Sequence, residues 1–363
     1  MLPSLAEVTS SSLSQISILF TARSLGSLLG AVGSGRIYDR RRPHTVMTIA
    51  IIGIAMFTAL TPFSRNLWLL TAFLFLTGIF QGGLNTGGNT LLGWLHGRET
   101  GPFMNGLHFF FGLGTAFTPV IIAQIIMVKG ALTWTYLLIA ITVLPTAIIA
   151  LLPSPDSPVI EQKQTVKKND PLVILLISLI FFCYQGASIS FSGWIFTYVT
   201  KMNLANETNA AYITSVYWGA LTVARLISIP LSMRFKPQQI LLMDFAGAIL
   251  SLLIMAFWPK TLVTVIIASA GFGLFMASIY PTTMTLAGRL MPLSGKIVGL
   301  FAIGNYAGSM LIPWIIGQYF ESTGPRVMTT VLLIDMLLAT CVLAAVIWRQ
   351  KYKAKLVAGT VKG

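Results

Sequence analysis

GIFQGGLNTGGNTLL (Gly78–Leu92) and GLFMASIYPTTMTLA (Gly273–Ala287) lie about 195 residues apart and read as copies of one another. Gly78 matches Gly273, Phe80 matches Phe275, Leu84 matches Ile279 and Thr90 matches Thr285. Each copy sits in an apolar run and carries polar residues where a helix would be deepest in lipid. Repeated halves with polar, Gly- or Pro-interrupted spans at matching positions point to the central site of a membrane carrier.

The rest of the chain supports that setting. Of its 363 residues 55% are hydrophobic and 9% charged, a composition with far more apolar surface than a soluble domain needs. The net charge of +14 does not indicate nucleic acid, because Lys and Arg fall in short loops between apolar runs and form no basic face. Cys183 and Cys341 both lie inside apolar runs, so no disulfide framework or metal site is implied. The polar first 15 residues lack the pattern of a cleavable signal peptide.

Eleven segments are long enough to cross a bilayer: 15–37, 44–62, 67–94, 104–128, 132–152, 171–199, 209–233, 238–257, 261–288, 296–319 and 326–348. They are expected to be helices, since each backbone group must be satisfied within its own span. If the loop holding Arg36, Arg40, Arg41 and Arg42 is cytoplasmic, that side collects 17 of the 24 Lys and Arg, the outer side five, and two lie within spans. The C-terminus is then cytoplasmic. The polar stretch 153–170, with Pro153, Pro155 and Pro158, reads as a linker between an N-terminal bundle (1–152) and a C-terminal bundle (171–363) with a basic tail. Five spans precede it and six follow, which suggests that the first half lacks its opening helix. The spans are therefore numbered two to twelve in a complete scheme.

GRIYDRRRP (Gly35–Pro43), between the second and third helices, resembles the loop signature of the major facilitator superfamily. The glycine would allow close helix packing, Asp39 would cap or accept charge at a helix end, and Arg40 with its neighbours would anchor the cytoplasmic face. The resemblance narrows to the fucose–proton symporter family and its sodium-dependent glucose transporter branch. It is carried by LNTGGN (Leu84–Asn89), by the stretch from Met104 to Pro119 with His108, by YQGASISFSGWIFTY (Tyr184–Tyr198), and by SIYPTT (Ser278–Thr283). It implies an all-helical fold of two pseudo-symmetric bundles that moves sugars by alternating access. Two departures bear on coupling. The family's carboxylate in the fourth helix is Asn85 here, and the glucose branch's glutamate in the seventh is Ser188. The family's acid in the first helix would fall in the missing segment.

The candidate site residues come from helical spacing. Thr77, Gln81, Asn85 and Asn89 share one face of the fourth helix. Amides suit sugar hydroxyls, although they also suit hydrogen bonds between helices. His108 is read either as a substrate or proton ligand or as a structural group. Gln185, Ser188 and Ser192 share a face of the seventh helix, with Trp194 and Tyr198 further out. An aromatic face stacks on a sugar ring. The alternative is the interfacial aromatic belt, preferred for Tyr198. Trp218, Tyr280 and Asn305 complete the candidates, beside Tyr217 and the bland reading of core packing. Arg23, Arg225, Asp244 and Asp335 are charges at membrane depth, and structural pairing is expected, for example Arg225 with Asp244. Pro281 and Pro313 remove helix hydrogen bonds and permit bends suited to gating. Asn206-Glu-Thr208 is an acceptor pattern for N-glycosylation.

No nucleophile–base pair, phosphate-cradling loop or metal cluster stands out in the sequence, and no cofactor is implied. The expected function is secondary transport of a small polar solute, foremost a monosaccharide, by a monomer in the cell membrane, with a proton or sodium ion as the candidate coupling cation. The alternatives are a transport-inactive sensor or scaffold on the same fold and an exporter of lipophilic compounds.

Overall fold

The computed structural model describes residues 2–38, 40–96, 100–125, 131–152, 170–258, 261–291 and 295–360. Every regular element among them is helical. Two short helices, α1 (Leu2–Val8) and α2 (Leu13–Ile16), lead into α3 (Ile18–Tyr38), α4 (Pro43–Leu60), α5 (Leu67–His96), α6 (Thr100–Ile125) and α7 (Ala131–Val143). A second set follows: α8 (Pro171–Lys201), α9 (Glu207–Arg234), α10 (Pro237–Phe257), α11 (Leu262–Met276), α12 (Ile279–Leu290), α13 (Gly295–Thr323) and α14 (Val327–Thr360). Among the described residues ten helical stretches are long and apolar enough to cross a membrane, and Phe109–Ile125 within α6 is a shorter apolar helix. Ten of the eleven expected segments thus reach crossing length, with α11 and α12 making one span, while 104–128 is covered by the shorter apolar helix. Residues 153–169, most of the expected linker, lie outside the described residues.

Local chemistry sets the helix starts. Pro43, Pro171 and Pro237 occupy first helical positions, where the missing N–H costs nothing. Asp170 caps α8 by accepting from the Leu172 amide at 3.1 Å and also accepts from Arg349 Nε at 3.1 Å. That ion pair ties the start of α8 to α14. Asn206, the first residue of the glycosylation pattern, uses its side-chain oxygen to cap α9 at the Asn209 amide, 2.9 Å.

The internal repeat is written in the packing. A Cβ placed on Gly78 of α5 would lie 2.1 Å from the Arg23 carbonyl oxygen of α3. One on Gly273 of α11 would lie 2.3 Å from the Tyr217 carbonyl oxygen of α9. A Cβ on Gly53 of α4 would meet the Phe80 ring at 2.5 Å, and one on Gly247 of α10 would meet the Phe275 ring at 2.4 Å. Matched glycines thus bring matched helix pairs close, through backbone at Gly78 and Gly273 and through a phenylalanine ring at Gly53 and Gly247. Among the described residues, a Cβ on Gly35 would meet nothing within 4 Å. The close packing expected of it is not seen among those residues in this conformation.

One internal difference separates the copies. The first is a single unbroken helix, α5. The second is interrupted between α11 and α12, at Ala277–Ser278. Pro281 explains the break, because it has no N–H to give the Ala277 carbonyl four residues earlier.

The two sets meet along α3 against α13 and α6 against α9. Among the described residues, the hydrogen bonds that link α2 and α3 to α13 gather at one end. Ser14 Oγ donates to Gln318 Oε1 at 2.8 Å, the Leu13 amide donates to Glu321 Oε1 at 2.8 Å, and Gln318 Nε2 donates to the Ser14 carbonyl at 3.2 Å. Thr21 and Ser24 reach the Met310 and Ser309 carbonyls at 3.3 and 3.4 Å. Gly317 packs directly on Ser17. On the α6–α9 seam Gln124 donates to the Tyr212 hydroxyl at the same end, and Gly112 abuts Thr222 nearer the middle. The molecule is closed at the end where α3 begins.

Candidate functional site

The polar stripe of α5 divides into two parts. Thr77 is buried and bonds back to the Phe73 carbonyl at 2.8 Å. Gln81 is held from α3: Arg23 donates to its Oε1 through Nε at 3.1 Å and Nη2 at 2.9 Å. Its acceptor is already committed, so Gln81 serves here as the partner that lets Arg23 sit at membrane depth. Asn85 and Asn89 form the second part. Asn89 Nδ2 donates to the Asn85 carbonyl at 2.8 Å and to Asn85 Oδ1 at 3.3 Å. Asn85 is exposed on the helix face, and its side chain lies against the Tyr306 phenol of α13.

Tyr306 leads on to a cluster of rings. Tyr280 of α12 lies near both Tyr306 and Tyr184 of α8, with ring centroids 6.0 Å apart for Tyr184–Tyr280 and 5.1 Å for Phe181–Tyr280. Asn85 and Tyr280 occupy matching positions in the two copies, since both are offset by 195 residues. The break before α12 brings Tyr280 here. Amide, phenol and phenol then converge from α5, α13 and α12 on the seam between the two helix sets. Sequence reasoning missed Tyr306 and Tyr184. Tyr184 stood inside a quoted motif, whereas Tyr306 follows Asn305 by one residue and carried no signal of its own. Asn305 is partly buried, and its Oδ1 has no donor among the described residues. Gln185 is half-buried on α8.

Several candidates belong to the packing instead. Trp194 is fully buried, its Nε1 donates to the Pro313 carbonyl at 3.0 Å, and its ring stacks on Phe320 at 4.8 Å. In this conformation it offers no face to a solute. Ser188 is buried and shares a 2.7 Å hydrogen bond with the equally buried Tyr217 hydroxyl. Tyr198 is no belt residue, because it is fully buried and reaches the Met255 carbonyl at 3.5 Å. Trp218 is half-buried at the α6–α9 seam, edge-on to Phe111 with centroids 6.3 Å apart. The described partner of Asp244 is Ser278, which donates to its carboxylate exactly at the helix break. Asp335 is buried with the Cys183 thiol, a weak donor, beside it. Neither of its oxygens has an N–H or O–H partner among the described residues. Arg40 is exposed beyond the end of α3, while Asp39 and the side chain of His108 lie outside the described residues.

Below Tyr280, α9 and α12 face each other across a cavity of about 500 Å³, within the range of small-molecule sites. Pro281, Thr285 and Arg289 line it from α12, and Thr222, Arg225, Ser228 and Ser232 from α9, with Phe109 of α6 at one side. It opens at the end opposite the closed contacts of Ser14, Ser17, Gln318 and Glu321. The arrangement is a central polar seam, sealed at one end and reached through a cavity from the other. Such a seam can exchange a solute between two faces of a membrane if the seal and the opening alternate.

The sequence comparisons agree with that geometry. The chain is 27% identical over 380 residues to sodium-dependent glucose transporter 1 of Xenopus laevis, covering 96% of this chain and 77% of that protein. It is 25% identical over 346 residues to the protein of the same name in Danio rerio, covering 84% of this chain and 58% of the relative. It is 23% identical over 411 residues to major facilitator superfamily domain-containing protein 4A of Danio rerio, covering 87% and 77%. The sequence profile of the Major Facilitator Superfamily matches residues 1–313. With that match over most of its length, this integral membrane protein is a transporter, not an enzyme, and belongs to the Major Facilitator Superfamily.

Proposed function

We propose that the chain carries a small neutral polyol, a monosaccharide foremost, across the cell membrane by alternating access. The observation that carries the reading is the convergence of Asn85, Asn89, Tyr306 and Tyr280 at the seam. Amides and phenols both donate and accept, as sugar hydroxyls do, and neutral groups impose no desolvated charge on a neutral solute. The names of the relatives, sodium-dependent glucose transporter 1, support the same class. If the basic loops are cytoplasmic, the sealed end faces outward, and the conformation is open to the cytoplasm with Gly363 on that side.

Neither Asn85 nor Ser188, which stand where the resembling family has acids, titrates near neutral pH. A proton therefore has no carrier at those two positions, and transport is expected to run downhill or to use a cation other than the proton. Counterflow of labelled glucose in proteoliposomes tests the reading, with proton uptake followed in parallel. Saturable counterflow that is weakened by Asn85→Leu supports it. Absence of counterflow for every monosaccharide tried, from a protein that folds and inserts normally, would sink it. Stoichiometric proton uptake with the sugar would overturn the coupling part alone.

A further inference from the structure

The break between α11 and α12 gathers oxygens that the seam does not use. Asp244 of α10 is 6% exposed and lies at membrane depth, where a carboxylate is costly unless it is paired. Among the described residues no Lys, Arg or His pairs with it. Ser278, inside the break, donates to its Oδ2, but a neutral hydroxyl brings no charge to balance a carboxylate. The Ala277 carbonyl stands beside Ser278 in the chain. Pro281 has no N–H to give it, and no other backbone N–H donates to it among the described residues. Carboxylate, hydroxyl and carbonyl are all hard oxygen ligands. Unwound carbonyls in broken helices are the groups that coordinate cations in membrane carriers. Ile240 and Thr282, each one helical turn from Asp244 and Ser278 respectively, line the cavity that opens at the unsealed end, so an ion has a route to the break.

One carboxylate among neutral oxygens balances a single positive charge, which suits a monovalent metal cation and not a divalent one. Close packing bears on its size. The Phe275 ring lies on Gly247, and Ser251 lies on Gly271, so α10 and α11 leave little room between them and the smaller common ion fits better. We propose that Asp244, Ser278 and the Ala277 carbonyl form a binding site for one monovalent metal cation, sodium in preference to potassium. The site rests on the reading that transport can use a cation other than the proton, and it locates that cation. A bound ion would tie α10 to the break that brings Tyr280 to the seam. Occupancy would thereby fix the ring that meets the solute, which couples the ion to the cargo without contact between them.

The experiment is thermal unfolding of the purified full chain against sodium chloride, with choline chloride at matched ionic strength as the reference and potassium chloride as a second arm. Sodium is expected to raise the unfolding midpoint saturably, and potassium to need a higher concentration. Asp244→Asn should raise the half-saturating sodium concentration by roughly 100-fold and Ser278→Ala by roughly tenfold. Pro281→Ala supplies an N–H that can occupy the Ala277 carbonyl and should also weaken binding. Asp335→Asn removes the other buried acid of the second helix set, whose described neighbour is the Cys183 thiol, and should leave half-saturation unchanged. Ser278→Ala and Pro281→Ala carry the test if Asp244→Asn fails to fold. Equal effects of sodium and choline, or the same half-saturation in the parent, Asp244→Asn and Ser278→Ala, overturn the proposal. So does an equal loss in Asp335→Asn and Asp244→Asn. Equal potency of potassium overturns the preference for sodium. Sugar is absent throughout, so failed glucose counterflow leaves this result standing, and counterflow without a sodium effect removes the cation site alone.

Discussion

Gly317→Ala offers a direct handle on which end of the molecule is closed. A Cβ at Gly317 would lie 2.2 Å from Ser17 Cβ and 2.5 Å from Ser17 Oγ, with Trp194 Cζ2 at 3.1 Å. The first contact is about 1.2 Å short of the 3.4 Å at which ordinary contact begins. Ser17 is a fully buried residue at the junction of α2 and α3, so it cannot swing away as a flexible chain end would. Overpacking of this kind costs about 1–3 kcal/mol. The shortest contact joins the two helix sets at the sealed end, so most of the cost falls on the sealed conformation, with a smaller part from Trp194 within the second set. It should shift the balance towards opening at that end by about 5- to 150-fold. The assay is the rate at which a membrane-impermeant thiol reagent, added to intact cells, modifies a cysteine placed at Ser14. That rate should rise in Gly317→Ala. Ser17→Gly removes both clashing atoms and should restore slow labelling in the double variant. Gly308→Ala is the control, because its Cβ would strike the Phe182 carbonyl oxygen at 1.9 Å within the second set. It should lower stability without raising labelling. Unchanged labelling in Gly317→Ala, or no rescue by Ser17→Gly, would refute the assignment of this contact as the seal.

The remaining expectations concern the site, the core and the topology. Asn85→Leu removes a hydrogen-bonding group worth about 1–3 kcal/mol and should weaken apparent glucose affinity about 5- to 150-fold at unchanged protein level, as read from counterflow. Ser188→Ala leaves the buried Tyr217 hydroxyl without its partner and should cost about 1–3 kcal/mol in stability by thermal unfolding, while apparent solute affinity stays the same. Trp194→Ala should cost about 3–5 kcal/mol by the same measurement, the expectation for a large aromatic in a packed core. Cysteines introduced between 153 and 170 should react with impermeant reagent only when the cytoplasmic side is exposed, and labelling in intact cells would reverse the orientation.

Much of the architecture is visible in the letters, because span length and apolarity are local properties. So are the matched glycines of the two copies and the proline that breaks the second. The partners of polar groups are not local. Gln81, Asn85 and Asn89 look alike at four-residue spacing, yet Arg23 takes the first while the other two remain at the seam. Which of them is taken depends on the rotation of α3 against α5, and Gly26, Gly30, Gly78 and Gly82 fix that rotation from both helices of the pair. Trp194 fails as a sugar platform for a similar reason. Its neighbours Phe20 and Phe320 come from elements far away in sequence, and an isolated tryptophan in an apolar run gives no sign of whether it faces lipid, solute or another ring. Tyr306 shows the converse case, a residue with no motif that becomes central when α13 is laid beside α5.

The match between Asn85 and Tyr280 bears on which way round a cargo can sit. A carrier built from two like halves could in principle offer its cargo two equal walls, and a bound molecule could then sit either way round. Here an amide and a phenol occupy corresponding places, so the halves share a skeleton and differ in what they display. A ring with one polar edge and one carbon-rich face gains from that mismatch in a single orientation, edge to the amide and face to the phenol. Reversing the molecule would set its carbon face on the amide and leave a hydrogen-bonding group unmet. A single preferred orientation of the bound molecule, in place of two equivalent ones, would then follow from the divergence of two positions in a duplicated frame.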